Sequence, residues 1–415
     1  MRSSLSTNRR HVAEEVDVAI VGGGPTDAAL ATRLATLGYA TAVLERRPYP
    51  EWHACGVFSS PRTRARLIDL GFSGNQIADR SRPISALALR TATGAVCRIE
   101  YTHGHACGFD RVRLDVALLD AARSAGADVR TGVVVRNVDL NTERAEKRLE
   151  VSPVAGPGAA QTGNEAHELV ARVVVGADGG SSVVSRAAGA HRIRGWLRRM
   201  GVTFHRPDLS AATEGAPMEG SFFFGRGWYV GIAPVPGARV NVGMVLPYEE
   251  AHNDPLAFAD RALATVPTNE GWHSASNTDR PAVAGRLEHH ASRVAGDGWL
   301  LVGDAIGFVD PLSGEGLQRA FVSAELAADH VARMLRGDAS AAADYDRCVK
   351  HRFAGKNVLS WMLQLFLWQP AAFDYALRRL AARPRLREEL TLVLTDQRRA
   401  STALSPPFLA QLLRP

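Results

Sequence analysis

Apolar residues run almost unbroken from Val16 to Val21 and again from Thr41 to Leu44, with an alanine-rich stretch of helical spacing between them. Short continuous runs of this kind predict buried strands of a parallel sheet, and the middle stretch predicts the crossover helix. The turn between the first strand and the helix reads VGGGPTD. Gly22 lets the chain turn sharply off the strand. Gly24 lets backbone N–H groups approach a pyrophosphate at the helix N-terminus, where Pro25 and Thr26 follow. Glu45 closes the second strand, ahead of Arg46, and can accept hydrogen bonds from a ribose diol. One position departs from the GxGxxG spacing: the third glycine is Asp27. Its carboxylate either hydrogen-bonds the N–H groups at the helix start or repels the pyrophosphate.

Further along, RTRARLIDLGF has a short helical pattern stopped by Gly71, and ISALALRTATGAVCRIEYTHG alternates like a hairpin turning near Thr93–Gly94. Leu114, Ala117, Leu118, Ala121 and Ala122 form a helical stripe, followed by a strand at Val129–Val135. RLEVSPV predicts a strand, and GPGAAQTGNEA a solvent loop. From Trp196 to about Arg280 the texture becomes alternating apolar and aromatic, with GSFFFG, GWYVGIAPVPG and ARVNVGMVL predicting β-structure. From Ala341 onward the pattern is helical.

Two more strand–glycine-turn–helix signals change the meaning of the first. In VVVGADGGSSVVSR, Asp178 follows a buried strand and can meet a ribityl or pyrophosphate group. In LLVGDAIGFVDPLSGEGL, Gly303 and Asp304 end another; Asp304 is placed for a ribityl hydroxyl. The Pro311–Gly316 segment, with Gly314 and Gly316, can bring N–H groups to an isoalloxazine ring.

Composition narrows the class. Hydrophobic content of 46% and charged content of 22% are those of an ordinary globular protein. The net charge is +6, and only three of the 49 basic residues are lysines, Lys147, Lys350 and Lys356. No basic cluster with interleaved aromatics appears, which argues against nucleic acid. Cys55, Cys97, Cys107 and Cys348 have no metal-ligand spacing and predict reduced thiols in a cytoplasm. The first dozen residues predict a loose tail without a signal sequence. NVLSWMLQLFLWQP is too short to span a bilayer and predicts a core helix, with shallow membrane contact as the alternative. YALRRLAARPRLREEL predicts a solvated helical face. His53, His289 and His290 read as loop or surface histidines, and Ser181, Ser182 and Ser185 as helix-capping residues.

The trio VGGGPTDAALA, VVGADGGSSVVSR and LLVGDAIGFVDPLSGEGL resembles the FAD-binding signatures of flavoprotein oxidoreductases with the para-hydroxybenzoate hydroxylase fold. It is nearest the geranylgeranyl reductase-like branch, whose GDAAGFVDPLTGEG is similar to GDAIGFVDPLSGEG here. RVRLD, from Arg111, resembles the R-x-x-[FL]-D segment of the family, and HACGVFSSP its C-G loop. The resemblance implies FAD, with NAD(P)H as transient reductant, and adds Arg111 to the cofactor-binding set. It departs at GWYVGIAPVP: the family pattern Y-x-W-x-F-P is matched by Tyr229 and Pro234, but Gly231 and Ala233 stand where the two large rings should be. Their loss predicts a widened pocket.

The expectation is therefore an α/β protein. A discontinuous Rossmann-like FAD-binding domain (14–85, 105–190 and 281–340) joins a β-rich substrate domain (86–104 and 191–280) and C-terminal helices (341–415), after a flexible tail (1–13). Pro311, Gly314 and Gly316 are the flavin-adjacent candidates; Phe224, Trp228 and Tyr229 are substrate-wall candidates for a small apolar or aromatic molecule. No metal is expected. Monooxygenation with O2 is narrowly favoured over carbon–carbon double-bond reduction, with a redox-neutral flavoprotein weakened at Asp27 as the third reading.

Overall fold

The computed structural model describes residues 14–48, 51–141, 143, 145–154, 166–195, 197–208, 218–267 and 271–414. The expectations for the tail, for Trp196 and for nearly all of GPGAAQTGNEA lie outside these. The four buried strands expected from the apolar runs are neighbours in one sheet. Its order is Ala295–Gly296, Trp299–Leu301, His167–Gly176, Glu14–Val21, Thr41–Glu45 and Asp128–Thr131. The pairings among the last five are all parallel. Val133–Asp139 and Lys147–Pro153 join as an antiparallel excursion beside His167–Gly176. The strand expected at 129–135 is broken in two at Gly132, whose φ of 73° interrupts an extended run.

Parallel strands need both faces covered, which is why they read as continuous apolar runs rather than alternating ones. Val18, Ala19, Ile20, Val43, Val174 and Leu300 are fully buried. Each large side chain among them contributes roughly 1.5–3 kcal/mol. The helix Pro25–Thr36 packs against both Arg111–Ser124 and Gly316–Leu335. Its alanines Ala28, Ala29 and Ala31 are buried and keep those contacts close.

The second sheet has nine strands, ordered Ala282–Ala284, Arg199–Pro207, Arg239–Pro247, Tyr229–Val235, Met218–Phe224, Ser81–Thr91, Ala106–Phe109 and Phe58–Ser59, with Val96–Glu100 paired to Ser81–Thr91. It thus draws in Phe58–Ser59, the start of Ser81–Thr91, Ala106–Phe109 and Ala282–Ala284, all outside the two stretches expected to build it. Pairing partners distant in sequence recruit these short segments, and no local pattern announces them.

The C-terminal region is helical, with Ala341–Trp368, Pro370–Ala382, Pro384–Leu394 and Pro406–Leu413. Three of the four begin on proline, whose missing N–H costs nothing at a first helical position. Pro384 therefore splits YALRRLAARPRLREEL into two helices, and Leu377, Leu380 and Leu386 turn inward against the Ala95–Cys97 hairpin. The stretch is half core, not only a solvated face.

Candidate active site

Three loops converge at the carboxyl ends of the parallel strands. Gly22 leaves its strand at φ 125°, and a Cβ there would lie 2.8 Å from the Ala177 carbonyl oxygen. A Cβ on Gly23 would lie 2.6 Å from that of Glu45. A Cβ on Gly303 would lie 2.5 Å from the Thr26 hydroxyl, and the Gly303 N–H donates to Ser323 Oγ at 2.9 Å. Backbone lies against Gly22, while the Glu45 and Thr26 side chains fill the space at Gly23 and Gly303, so none of the three has room for a side chain.

Gly24 caps the helix Pro25–Thr36, and its N–H donates to the Asp27 carboxylate. Of the two roles expected for Asp27, the structure shows the capping one. Asp27 is buried, and burial raises its pKa well above the ordinary carboxylate value. Glu45 and, more weakly, Asp178 push it further up; the Gly24 hydrogen bond and Arg47 oppose them. A carboxyl held toward its neutral form loses much of the repulsion that its sequence position threatened.

Glu45 is buried and accepts two hydrogen bonds from Arg47, from the backbone N–H at 2.8 Å and Nε at 2.9 Å. Beyond it opens a depression of about 450 Å³ lined by Arg46, Arg47, His53, Val134 and Arg136. Its arginines suit the adenosine and phosphate half of a dinucleotide. Arg111 is placed otherwise: buried, it makes a two-pronged pair with Asp115 (3.0 and 3.2 Å) and donates to the Gly56 carbonyl at 2.7 Å. It thereby ties the 51–57 loop to its helix. In that loop burial pushes the Cys55 thiol up to about 11. Burial, then the charges of Arg47 and Arg111, hold His53 down at about 3. His53 is thus a neutral imidazole at physiological pH.

Asp178 accepts the Val183 N–H at 2.7 Å. Its Oδ1, like that of Asp27, is buried with no hydrogen bond among the described residues. Asp304 keeps solvent access while protein crowds it; the crowding raises its carboxyl, and His289, Arg319 and Arg111 pull it back down. His289 proves to be an internal brace. Nε2 lies 2.7 Å from the Asp304 carbonyl and Nδ1 lies 2.9 Å from that of Leu287, while the ring fills the space beside Gly180. It locks the second and third glycine turns together. Only its place in the short strand His289–Ala291, paired with Gly307–Phe308, reveals this.

Asp310, at the entrance of the Pro311–Gly316 segment, accepts the Leu312 N–H at 3.0 Å and the Tyr229 hydroxyl. Burial raises both groups above their ordinary values, Tyr229 strongly so with the Asp310 charge adding to it. Gly314 has φ 63°, and a Cβ there would lie 2.3 Å from the Phe58 ring. Glu315, which precedes the helix Gly316–Leu335, is paired with Lys356 from the C-terminal region, and both are buried. Lys356 also donates to the Val393 carbonyl at 2.5 Å. Sequence reasoning missed Asp310, Glu315 and Lys356. The scarcity of lysine was the available signal, since Lys147 and Lys356, two of the three, are buried.

Strand alternation sorts the wall candidates. Phe222, Phe224 and Tyr229 share one face, with Phe224 4.6 Å from Phe373 and clustered with Leu312 and Leu367. Trp228 lies on the other face, 5.8 Å from Phe223 in a separate core, so it is not part of this wall. Gly231 does not widen the pocket either. A Cβ there would lie 2.8 Å from the Phe222 ring, which occupies the space that a side chain at 231 would use.

The residues fit FAD: close-approach glycines, a basic depression beside Glu45, orphaned carboxylate oxygens that ribityl hydroxyls would satisfy, and an Asp27 biased toward neutrality. Fold and site together define a flavin-dependent oxidoreductase. The chain belongs to the FAD binding domain family, whose profile matches residues 15–347. It is 28% identical over 338 residues to a menaquinone reductase of Mycobacterium tuberculosis, covering 77% of each. The fold is similar to that of a flavoprotein/dehydrogenase from Cytophaga hutchinsonii (TM-score 0.78, 19% identity, covering 92% and 93%). It is also similar to that of a geranylgeranyl bacteriochlorophyll reductase-like protein from Thermoplasma acidophilum (TM-score 0.75, 21% identity, covering 96% and 99%).

Proposed function

We propose that this chain is an FAD-dependent reductase that saturates a carbon–carbon double bond of an apolar, isoprenoid-like substrate, with NAD(P)H as the transient electron source. The observation that carries the reading is the buried Tyr229–Asp310 pair, standing on an apolar wall at the entrance of Pro311–Gly316. Bound FAD would supply the hydride. The chain's own part is to hold it, exclude water and deliver a proton to the carbon that the hydride leaves electron-rich. Burial biases both Tyr229 and Asp310 toward their protonated forms, the direction an acid needs. In the reaction Tyr229 turns its O–H from Asp310 to the substrate and gives up that proton, Asp310 returns one to it, and solvent restores Asp310. The menaquinone reductase among the relatives supports a substrate of this class.

Monooxygenation is the second reading, favoured by Ala233 where the reductase pattern has a ring; at 231 the Phe222 ring takes the place of the missing one. Anaerobic assays separate the two. The reductase reading expects NAD(P)H-dependent product under strict anaerobiosis; product formed only with stoichiometric oxygen uptake overturns it.

A further inference from the structure

The helix Ala341–Trp368 has two unlike faces. Its inner face sets Asn357 and Ser360 beside Asp310 and Gly316. Its outer face repeats at helical spacing through Ala354, Val358, Leu365 and Trp368, and Ala371 and Ala372 continue it into the next helix, all exposed. Val358, Leu365 and Trp368 are 53, 54 and 53% exposed. From Asn357 to Phe373 there is no charged residue. A contiguous exposed stripe of large apolar side chains marks a contact surface.

The distribution of charge identifies what covers it. From Ala341 to the C-terminus there are twelve Lys and Arg against six Asp and Glu, so this region carries the chain's whole net charge of +6 and the preceding 340 residues are balanced. On the same helix Arg347 and Lys350 extend the outer face toward its N-terminal end, their side chains 76% and 59% exposed. They pair with Asp344 and Asp346, surface bonds that yield readily to a stronger anionic field. Arg194 lies over the Trp361 ring, 5.4 Å from its centroid. Aliphatic and tryptophan side chains flanked by cations are the composition of a surface seated in the headgroup region of an anionic bilayer. Among the described residues no helix is long and apolar enough to cross a membrane.

We propose that the outer face of Ala341–Trp368, with Val358, Leu365 and Trp368 inserted and Arg194, Arg347 and Lys350 against the headgroups, docks this protein on an anionic lipid surface. The inference stands on this surface alone and holds for either reaction considered above.

Flotation of the FAD-loaded full chain with vesicles tests it, using phosphatidylcholine alone and phosphatidylcholine with phosphatidylglycerol. The expected result is about tenfold more protein on the anionic vesicles, lost at high salt. Leu365→Asp with Trp368→Asp should abolish binding, and Arg347→Glu with Lys350→Glu should weaken it, each with flavin absorbance and Tm unchanged. Absence of binding to anionic vesicles, or binding undiminished by Leu365→Asp with Trp368→Asp, overturns the proposal. So does sedimentation showing that the stripe instead holds two copies together, with a dimer that Trp368→Asp dissociates and no vesicle binding.

Discussion

The backbone N–H of Gly24 donates to the carboxylate of Asp27, closing the first turn of the helix whose N-terminus faces the expected pyrophosphate. The carboxylate therefore competes for a donor that a phosphate oxygen would use. Asp27→Gly frees that donor and removes the acid. It should tighten FAD binding by about tenfold, roughly 1.4 kcal/mol. Titration of flavin fluorescence against the apoprotein measures it; unchanged or weaker affinity refutes the competition.

The same residue makes stability depend on pH. Its folded pKa lies above the ordinary value, through burial, Glu45 and Asp178. The unfolded chain ionises at about pH 4. Above that pH the unfolded state gains from ionisation while the folded Asp27 resists it, so stability falls until the pH passes the folded pKa. Asp27→Asn should raise Tm by a few degrees at pH 8 and leave it unchanged at pH 3. FAD affinity, declining with pH in the native protein, should flatten in this variant. Parallel melting curves and titrations across pH decide both.

Tyr229 and Asp310 are expected to act on protons, not on cofactor binding. Tyr229→Phe should lower kcat by roughly a hundred- to ten-thousand-fold, the usual range for a lost general acid. Flavin affinity and the rate of flavin reduction by NAD(P)H should stay within about twofold. Rapid-mixing kinetics separates the two half-reactions, and a loss confined to flavin reduction would contradict the assignment.

Lys356 ties the Glu315 segment to the C-terminal helices inside the protein. Lys356→Met strands the Glu315 carboxylate in a buried site and should cost about 3–5 kcal/mol. Lys356→Met combined with Glu315→Leu should recover most of it, because the buried charge leaves with its partner. Chemical denaturation of the three proteins gives the comparison.

Phe222 fills the space beside Gly231. Gly231→Trp alone should therefore destabilise the protein by overpacking, about 1–3 kcal/mol. Combined with Phe222→Ala it should be tolerated, since one ring replaces another. A cavity widened at 231 would instead accept the tryptophan with Phe222 in place.

How much of this was legible beforehand follows from the range of the forces involved. Continuous apolar runs, glycines forced by close approach and helix-starting prolines are local consequences of burial and φ, so the four buried strands and the C-terminal helices could be read from residues alone. So could Gly22, Gly303 and Gly314, each now seen against a specific neighbour. The sequence by itself determined the cradle and the expectation of FAD. Pairing of residues far apart in the chain was decided only by tertiary structure: Tyr229 with Asp310, Lys356 with Glu315, His289 with Asp304. Arg111 was turned to its own helix and Trp228 to the far face of the sheet in the same way. For Asp27 the sequence posed a choice between cap and repulsion. Burial beside Glu45 resolved it, because desolvation depends on what folds over a residue and not on what stands next to it in the chain.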